Sequence, residues 1–224
     1  MSHPSHRLQR MSLPEAVAAS LRERILNGEF ESGQALVQEA LAAEYECSRM
    51  PIREAFRQLE AEGLIVTKVH KGAFVASIPP EQVMELFELR AMLETDMLSH
   101  SLPLLTEKHL CVSQQKLQEL DQAYRQNEIT RWGTLNWEFH KSLYVAANRV
   151  QSLAIVAGIN VQIERYIRLQ LLLNQTFNTA ETEHRTLLEM CRAGDETASI
   201  PFLKDHILNA GRELVDALQA KKGR

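Results

Sequence analysis

The sequence predicts a mainly α-helical chain: an N-terminal winged helix-turn-helix with a small β-hairpin, then a C-terminal antiparallel six-helix bundle. Three observations predict it. Apolar residues recur at helical spacing along most of the chain. Between residues 13 and 76 that spacing gives way once, to two short strand-like runs flanking Lys71-Gly72. The pair Pro79-Pro80 then separates this block from one that is almost wholly helical. The expected organisation is a flexible arm over residues 1–10, a winged domain over 11–78 and a helical domain over 79–224.

The first helix opens at Leu13-Pro14 and carries Val17, Leu21, Ile25 and Leu26 on one face. Gly28 and Gly33 bracket a loop. A second helix runs from about Gln38 to Tyr45, with Leu41 and Ala42 facing inward. Ser48 is a good N-cap, and Pro51 sits in the first turn of a third helix, Arg49 to Glu62, which Gly63 ends. Leu64–Thr67 and Ala73–Val75 read as paired strands joined by the tight turn Val69-His70-Lys71-Gly72. The second block divides into helices near Pro80–Ser101, Glu107–Asn127, Ile129–Ala147, Arg149–Leu173, Phe177–Ala193 and Asp195–Ala220. Each has an apolar stripe, such as Val83, Leu86, Phe87 and Leu93 in the first, and together they suit an antiparallel bundle.

Composition bounds the function. Of 224 residues, 45% are hydrophobic and 24% charged, ordinary for a globular chain and wrong for a disordered or low-complexity one. Lys plus Arg number 25 against 29 Asp plus Glu, a net charge of −4. Bulk basicity therefore does not coat nucleic acid, and any DNA contact needs a local cationic patch. Three cysteines make a poor disulfide framework and suit a reducing cytoplasm. No apolar run approaches a membrane span, and the first ten residues lack the apolar core of a secretory signal.

The local patch lies on the third helix. Arg49, Arg53 and Arg57 are spaced by four and rise along one face, while Ile52, Ala55 and Leu59 lie on another and Phe56 falls at the border. Arg suits bidentate contact with guanine edges or phosphate. The plainer alternative is a solvated, salt-bridged face with Glu54, Glu60 and Glu62 as partners. Lys68, His70 and Lys71 at the hairpin tip make the constellation more specific, since a basic wing then follows a basic helix. The run Leu21–Val75 resembles the N-terminal domain of GntR-family transcription regulators. The resemblance rests on Ser48-Arg49-Met50-Pro51-Ile52-Arg53-Glu54-Ala55, on Leu59, Gly63 and Leu64, and on Lys71-Gly72-Ala73-Phe74-Val75. It implies that Ser48 and Arg49 open the recognition helix, that Arg53 reads or anchors DNA, and that His70, Lys71 and Gly72 approach the minor groove. Met50 stands where the family usually carries Thr, which implies a lost phosphate contact or an altered base preference. Glu39 stands where some relatives use Arg. Arg57 is assigned as a phosphate contact from its place in the stripe alone.

In the second block Asn136 and His140 lie four apart on one helix, and His184 and His206 fall on two others. Packed together, three imidazoles suit zinc or nickel and leave an open coordination position. The alternative is ordinary half-buried histidines, because no single helix carries a His-x-x-x-His pair. Here too the chain is similar to a known family, the FCD effector-binding domain of FadR-like GntR regulators in its six-helix, VanR-type form. The matching pieces are Phe87-Glu88-Leu89-Arg90 with Leu93-Glu94, Phe139-His140 with Asn148, Glu183-His184, and Gly194-Asp195 through His206. The resemblance implies a metal held by Asp-x-x-x-His, His and His. Here His140, His184 and His206 match and Asn136 replaces the acid. A 2+ ion among neutral ligands is then uncompensated, which favours completion by a carboxylate effector and also leaves room for a metal-free pocket. Arg90 is expected either in the pocket or in a surface ion pair with Glu94. Arg165, Tyr166 and Arg168 are weaker candidates for effector contact.

The expectation is a cytoplasmic, ligand-responsive bacterial regulator that binds an inverted-repeat, double-stranded DNA operator as a homodimer. Its effector is a small organic acid, with a divalent metal, zinc or nickel, and no membrane partner. Two other readings stay open at this point. One is a DNA-binding dimer stapled by metal without an effector. The other is a zinc-dependent hydrolase using Glu138 or Glu183 as base.

Overall fold

The computed structural model describes residues 11–126, 128–174 and 177–222; the arm expected over residues 1–10 lies outside them. The chain divides into two compact units between Ser77 and Ile78, within the run that ends in Pro79-Pro80.

The first unit contains α1 (Leu13–Leu26), β1 (Ala35–Leu36), α2 (Gln38–Glu44), α3 (Arg49–Ala61), β2 (Ile65–Lys68) and β3 (Gly72–Val75). Ser12 caps α1 in a reciprocal capping box with Glu15. Ser48 occupies the N-cap of α3 but makes no side-chain capping bond. The other end of α3 closes as a Schellman turn. Gly63 is left-handed at φ 74°, its N–H reaches the Glu60 carbonyl at 3.0 Å, and the Leu64 N–H reaches that of Leu59 at 2.9 Å. α1 packs on α3 through Val17, Leu21, Ile25, Ile52, Ala55 and Leu59. Phe56, expected at the border, is buried with them at 4% exposure. The sheet has three antiparallel strands in the order β1-β3-β2, with Ile65 opposite Val75, Lys68 opposite Gly72 and Ala35 opposite Phe74. The third strand, β1, extends the expected hairpin. At two residues it is too short to carry an alternating signal.

The second unit holds α4 (Pro80–Ser101), α5 (Glu107–Arg125), α6 (Ile129–Tyr144), α7 (Val150–Asn174), α8 (Phe177–Ala193) and α9 (Glu196–Lys222). Their ends fall within about three residues of the sequence expectation, and the last turn predicted for α6 is a separate 3-10 turn, Val145–Ala147. α4 packs against α6, α7 and α9, while α5 packs against α6 and α8. One apolar core joins them through Val83, Phe87, Met97, Phe139, Leu143, Ile163, Leu187 and Leu203, among others. Gly211 lets α4 and α9 approach closely: a Cβ there would sit 2.8 Å from the Cβ and Cγ of Phe87. Among the described residues no helix is long and apolar enough to cross a membrane.

Candidate functional site

The outer face of α3 is cationic and open. Ser48, Arg49, Met50, Arg53 and Arg57 are all exposed, while Ile52, Ala55, Phe56 and Leu59 fill the core behind them. The salt-bridged alternative is met in part, with a different partner. Arg49 pairs with Glu39 of α2 at 2.5 Å, both side chains mostly in solvent. Glu62 is taken by Arg22 and Glu60 by the Thr67 N–H. Arg53 reaches the sulfur of Met50 at 3.0 Å, and neither Arg53 nor Arg57 forms an ion pair among the described residues. The hairpin tip is exposed at His70, Lys71 and Gly72. His70 and Gly72 are left-handed, at φ 59° and 90°. The turn is closed by the Lys71 N–H on the Lys68 carbonyl at 3.0 Å. Lys68 lies over the Phe74 ring.

The second unit brings three imidazoles together. The ligand nitrogens of His140, His184 and His206 lie within 4.8 Å of one another. His140 and His184 are buried and His206 is half-buried. The Nε2 atoms of His140 and His184 face each other at 3.3 Å. Hydrogen bonding orients two of the rings. Tyr144 donates to Glu94 at 2.9 Å, so its oxygen accepts from His140 Nδ1 at 3.2 Å and leaves His140 Nε2 as a lone pair. His206 Nδ1 donates to the Glu183 carboxylate at 2.6 Å, which orients the ring. His184 Nδ1 is buried without a partner. Burial first, then the neighbouring histidines and Arg90, holds His140 well below the usual imidazole pKa. Burial and then His206 do the same for His184. Both therefore stay neutral, the state a metal requires of imidazole. Converging imidazole nitrogens, two of the rings oriented by outer hydrogen bonds, fit a zinc- or nickel-type ion. His140, His184 and His206 would hold it, and it would supply a Lewis-acidic position for an anionic ligand.

A cavity of about 270 Å³ opens beside the cluster, lined by Asn136, His184, His206, Arg90 and aromatic walls that include Phe87, Trp132 and Trp137. Asn136 thus lies on the cavity wall one helical turn from His140. Arg90 reaches the cavity and also pairs with Glu94 at 2.7 Å. That pair is buried, with side chains 5% and 0% exposed, which corrects the surface ion pair expected from spacing. Arg168 is buried against Glu164 at 2.6 Å; Glu164 lines the cavity and Arg168 does not. Tyr166 accepts the Ile78 N–H at 2.8 Å, holding the start of the second unit. The Arg165 side chain lies outside the described residues. Sequence reasoning missed Tyr144, Asn160 and Glu164, and it considered Glu183 only as a base. Glu183 instead binds His206, and Glu138 pairs with Lys141 at 3.4 Å.

Comparison with known proteins bears on both units. Residues 13–75 match the model of bacterial regulatory proteins of the gntR family, and residues 85–209 match the FCD domain. The chain is 28% identical over 202 residues to BphR, an uncharacterized HTH-type transcriptional regulator of Paraburkholderia xenovorans, covering 88% of this chain and 82% of that protein. It is 30% identical over 182 residues to the Nta operon transcriptional regulator of Aminobacter aminovorans, covering 80% and 83%. A crystal structure of a GntR transcriptional regulator from Rhodococcus sp. RHA1 superposes with a TM-score of 0.77 at 22% identity, over 91% of this chain and 98% of that one. That last likeness speaks for the fold. The matching families and relatives are transcriptional regulators, not enzymes.

Proposed function

This chain belongs to the GntR family of bacterial transcriptional regulators and carries an FCD effector-binding domain, and from that premise we propose a cytoplasmic homodimer that binds an inverted-repeat operator and responds to a small carboxylate effector. The observation that carries the reading is a pairing within one chain. An exposed arginine face on α3 is backed entirely by core residues, and a separate unit holds three converging imidazoles beside a cavity.

On the DNA side, α3 enters a major groove with Arg49 and Arg53 at base edges or phosphate. Arg57 contacts phosphate, and Lys71 brings the wing against the backbone. Two-fold symmetry of the protein calls for two half-sites in inverted orientation. On the effector side, His140, His184 and His206 would hold an ion whose open position would take the acid's carboxylate, with Asn136 beside it. Because Asn136 carries no charge, the acid supplies part of the compensation that the ion lacks, so metal and effector bind cooperatively. The cavity favours this reading over a metal that only staples the bundle. The effector alters operator affinity to the extent that it binds one state of the regulator better than another.

The test is an operator complex formed by the metal-loaded protein and titrated with carboxylic acids. A shift in operator affinity that disappears in His184→Ala supports the proposal. Operator affinity indifferent to every acid, with chelation merely unfolding the second unit, favours the staple.

A further inference from the structure

We propose that the cavity takes an aromatic monocarboxylate. This rests on the acid-effector reading above and narrows it. The shape follows from the lining positions. On α6 they run from Trp137 and Asn136 back to Gly133 and Trp132, and on α9 they step on from His206 through Ala210 to Glu213. The α9 stretch, seven residue steps of helix, makes the cavity about 10 Å long, with the His184 and His206 imidazoles at one end.

Glu164 of α7 lies against Gly133 of α6, where a Cβ would come 2.7 Å from Glu164 Cγ. α7 follows α6 after a short turn and runs back along it. Asn160, one turn before Glu164, therefore sits near the level of Asn136 and Trp137. Asn160 Nδ2 is buried without a hydrogen-bond partner and its residue lines the cavity. It is a donor placed for the oxygen of a carboxylate whose other oxygen faces the histidines.

Beyond that head the walls are mostly apolar, with Phe87, Trp137, Trp132, Ile167 and Ile207, and Thr134 and Tyr124 add two hydroxyls. They offer flat apolar surface and few hydrogen bonds, so a polyhydroxylated acid would leave most of its hydroxyls unpaired. The far end carries Glu164 and Glu213. Glu164 is neutralised by Arg168, while Glu213 has no ion pair among the described residues. Apart from histidines, Arg90 is the one cationic residue among the described residues of the lining, and it is held by Glu94. A second carboxylate at the far end would meet like charge without a partner. A hydroxyl there would find an acceptor.

Calorimetric titration of the zinc-loaded, full-length protein with benzoate, 4-hydroxybenzoate, terephthalate and gluconate tests this. Benzoate and 4-hydroxybenzoate bind at least about tenfold tighter than terephthalate and gluconate. Asn160→Leu weakens benzoate by about tenfold without lowering the unfolding temperature. Gluconate or terephthalate binding as tightly as benzoate overturns the assignment, and so does an Asn160→Leu variant that binds benzoate unchanged. If citrate and acetate, like these four, produce no binding at all, the acid-effector reading itself falls and this inference falls with it.

Discussion

Arg49, proposed above to contact DNA, is also half of an exposed ion pair with Glu39. In water such a pair contributes little to stability, because solvent screens it. Its effect is on direction: Glu39 holds the guanidinium at the N-terminal end of α3. Glu39→Ala should leave the melting temperature unchanged and relax the preferred half-site sequence, as read by selection from random-sequence DNA. An unchanged preference would show that Glu39 is a bystander. At the histidine cluster the corresponding residue is Asn136. Asn136→Asp restores a charge beside three neutral ligands and should tighten zinc binding by about tenfold or more in calorimetry. No gain would place Asn136 outside the coordination sphere. Among single residues, the exposed arginines and the histidine triad were legible in the sequence. Spacing by four declares a face, and neutral imidazole declares its chemistry. Glu183 bound to His206, and Tyr144 bridging His140 to Glu94, were not, because the contacts join helices far apart in the chain.

At the scale of elements, helix starts and stops were readable because local chemistry sets them. Ser12 with Glu15 begins α1, Gly63 ends α3, and Pro79-Pro80 begins α4. β1 was hidden, since two residues make no period and β3 supplies its pairing. The burial of Arg90 with Glu94 was hidden too, because an i,i+4 ion pair looks the same on a surface helix as on one enclosed by α6, α7 and α9. The α4–α9 contact gives a clean test. Gly211→Ala places a methyl against Phe87 and should destabilise the protein by about 1–3 kcal/mol in urea unfolding. Gly158→Ala, with nothing within 4 Å of the new Cβ in the middle of α7, should stabilise it by about 0.4–1 kcal/mol. Equal effects would contradict the packing. The histidine helices add a pH dependence. His140 and His184 are held below the ordinary value of 6.5. As pH falls through that value the unfolded chain takes up protons that the fold refuses, so stability is complete above it and lost below. The metal-free protein should therefore lose unfolding free energy between pH 7.5 and 5.5. A flat or rising profile would show that these imidazoles are not buried and neutral.

At the scale of the whole molecule, the division into a small winged unit and a helical unit separates two chemistries. One surface is cationic, exposed and suited to a polyanion. The other site is enclosed, neutral in its ligands and sized for a small molecule. A net charge of −4 makes the first a local property, so DNA affinity should come from few phosphate contacts and a handful of base contacts rather than from general attraction. The direct test compares Arg49→Ala and Lys71→Ala with the parent chain by fluorescence anisotropy, on a duplex selected by the parent and on a scrambled duplex, across a salt series. The expected result is a loss of about 1–3 kcal/mol for Arg49→Ala on the selected duplex alone. Lys71→Ala should weaken both duplexes alike and lower the salt slope by about one. Unchanged affinity of Arg49→Ala for the selected duplex would contradict the assignment of α3 as the element that reads DNA.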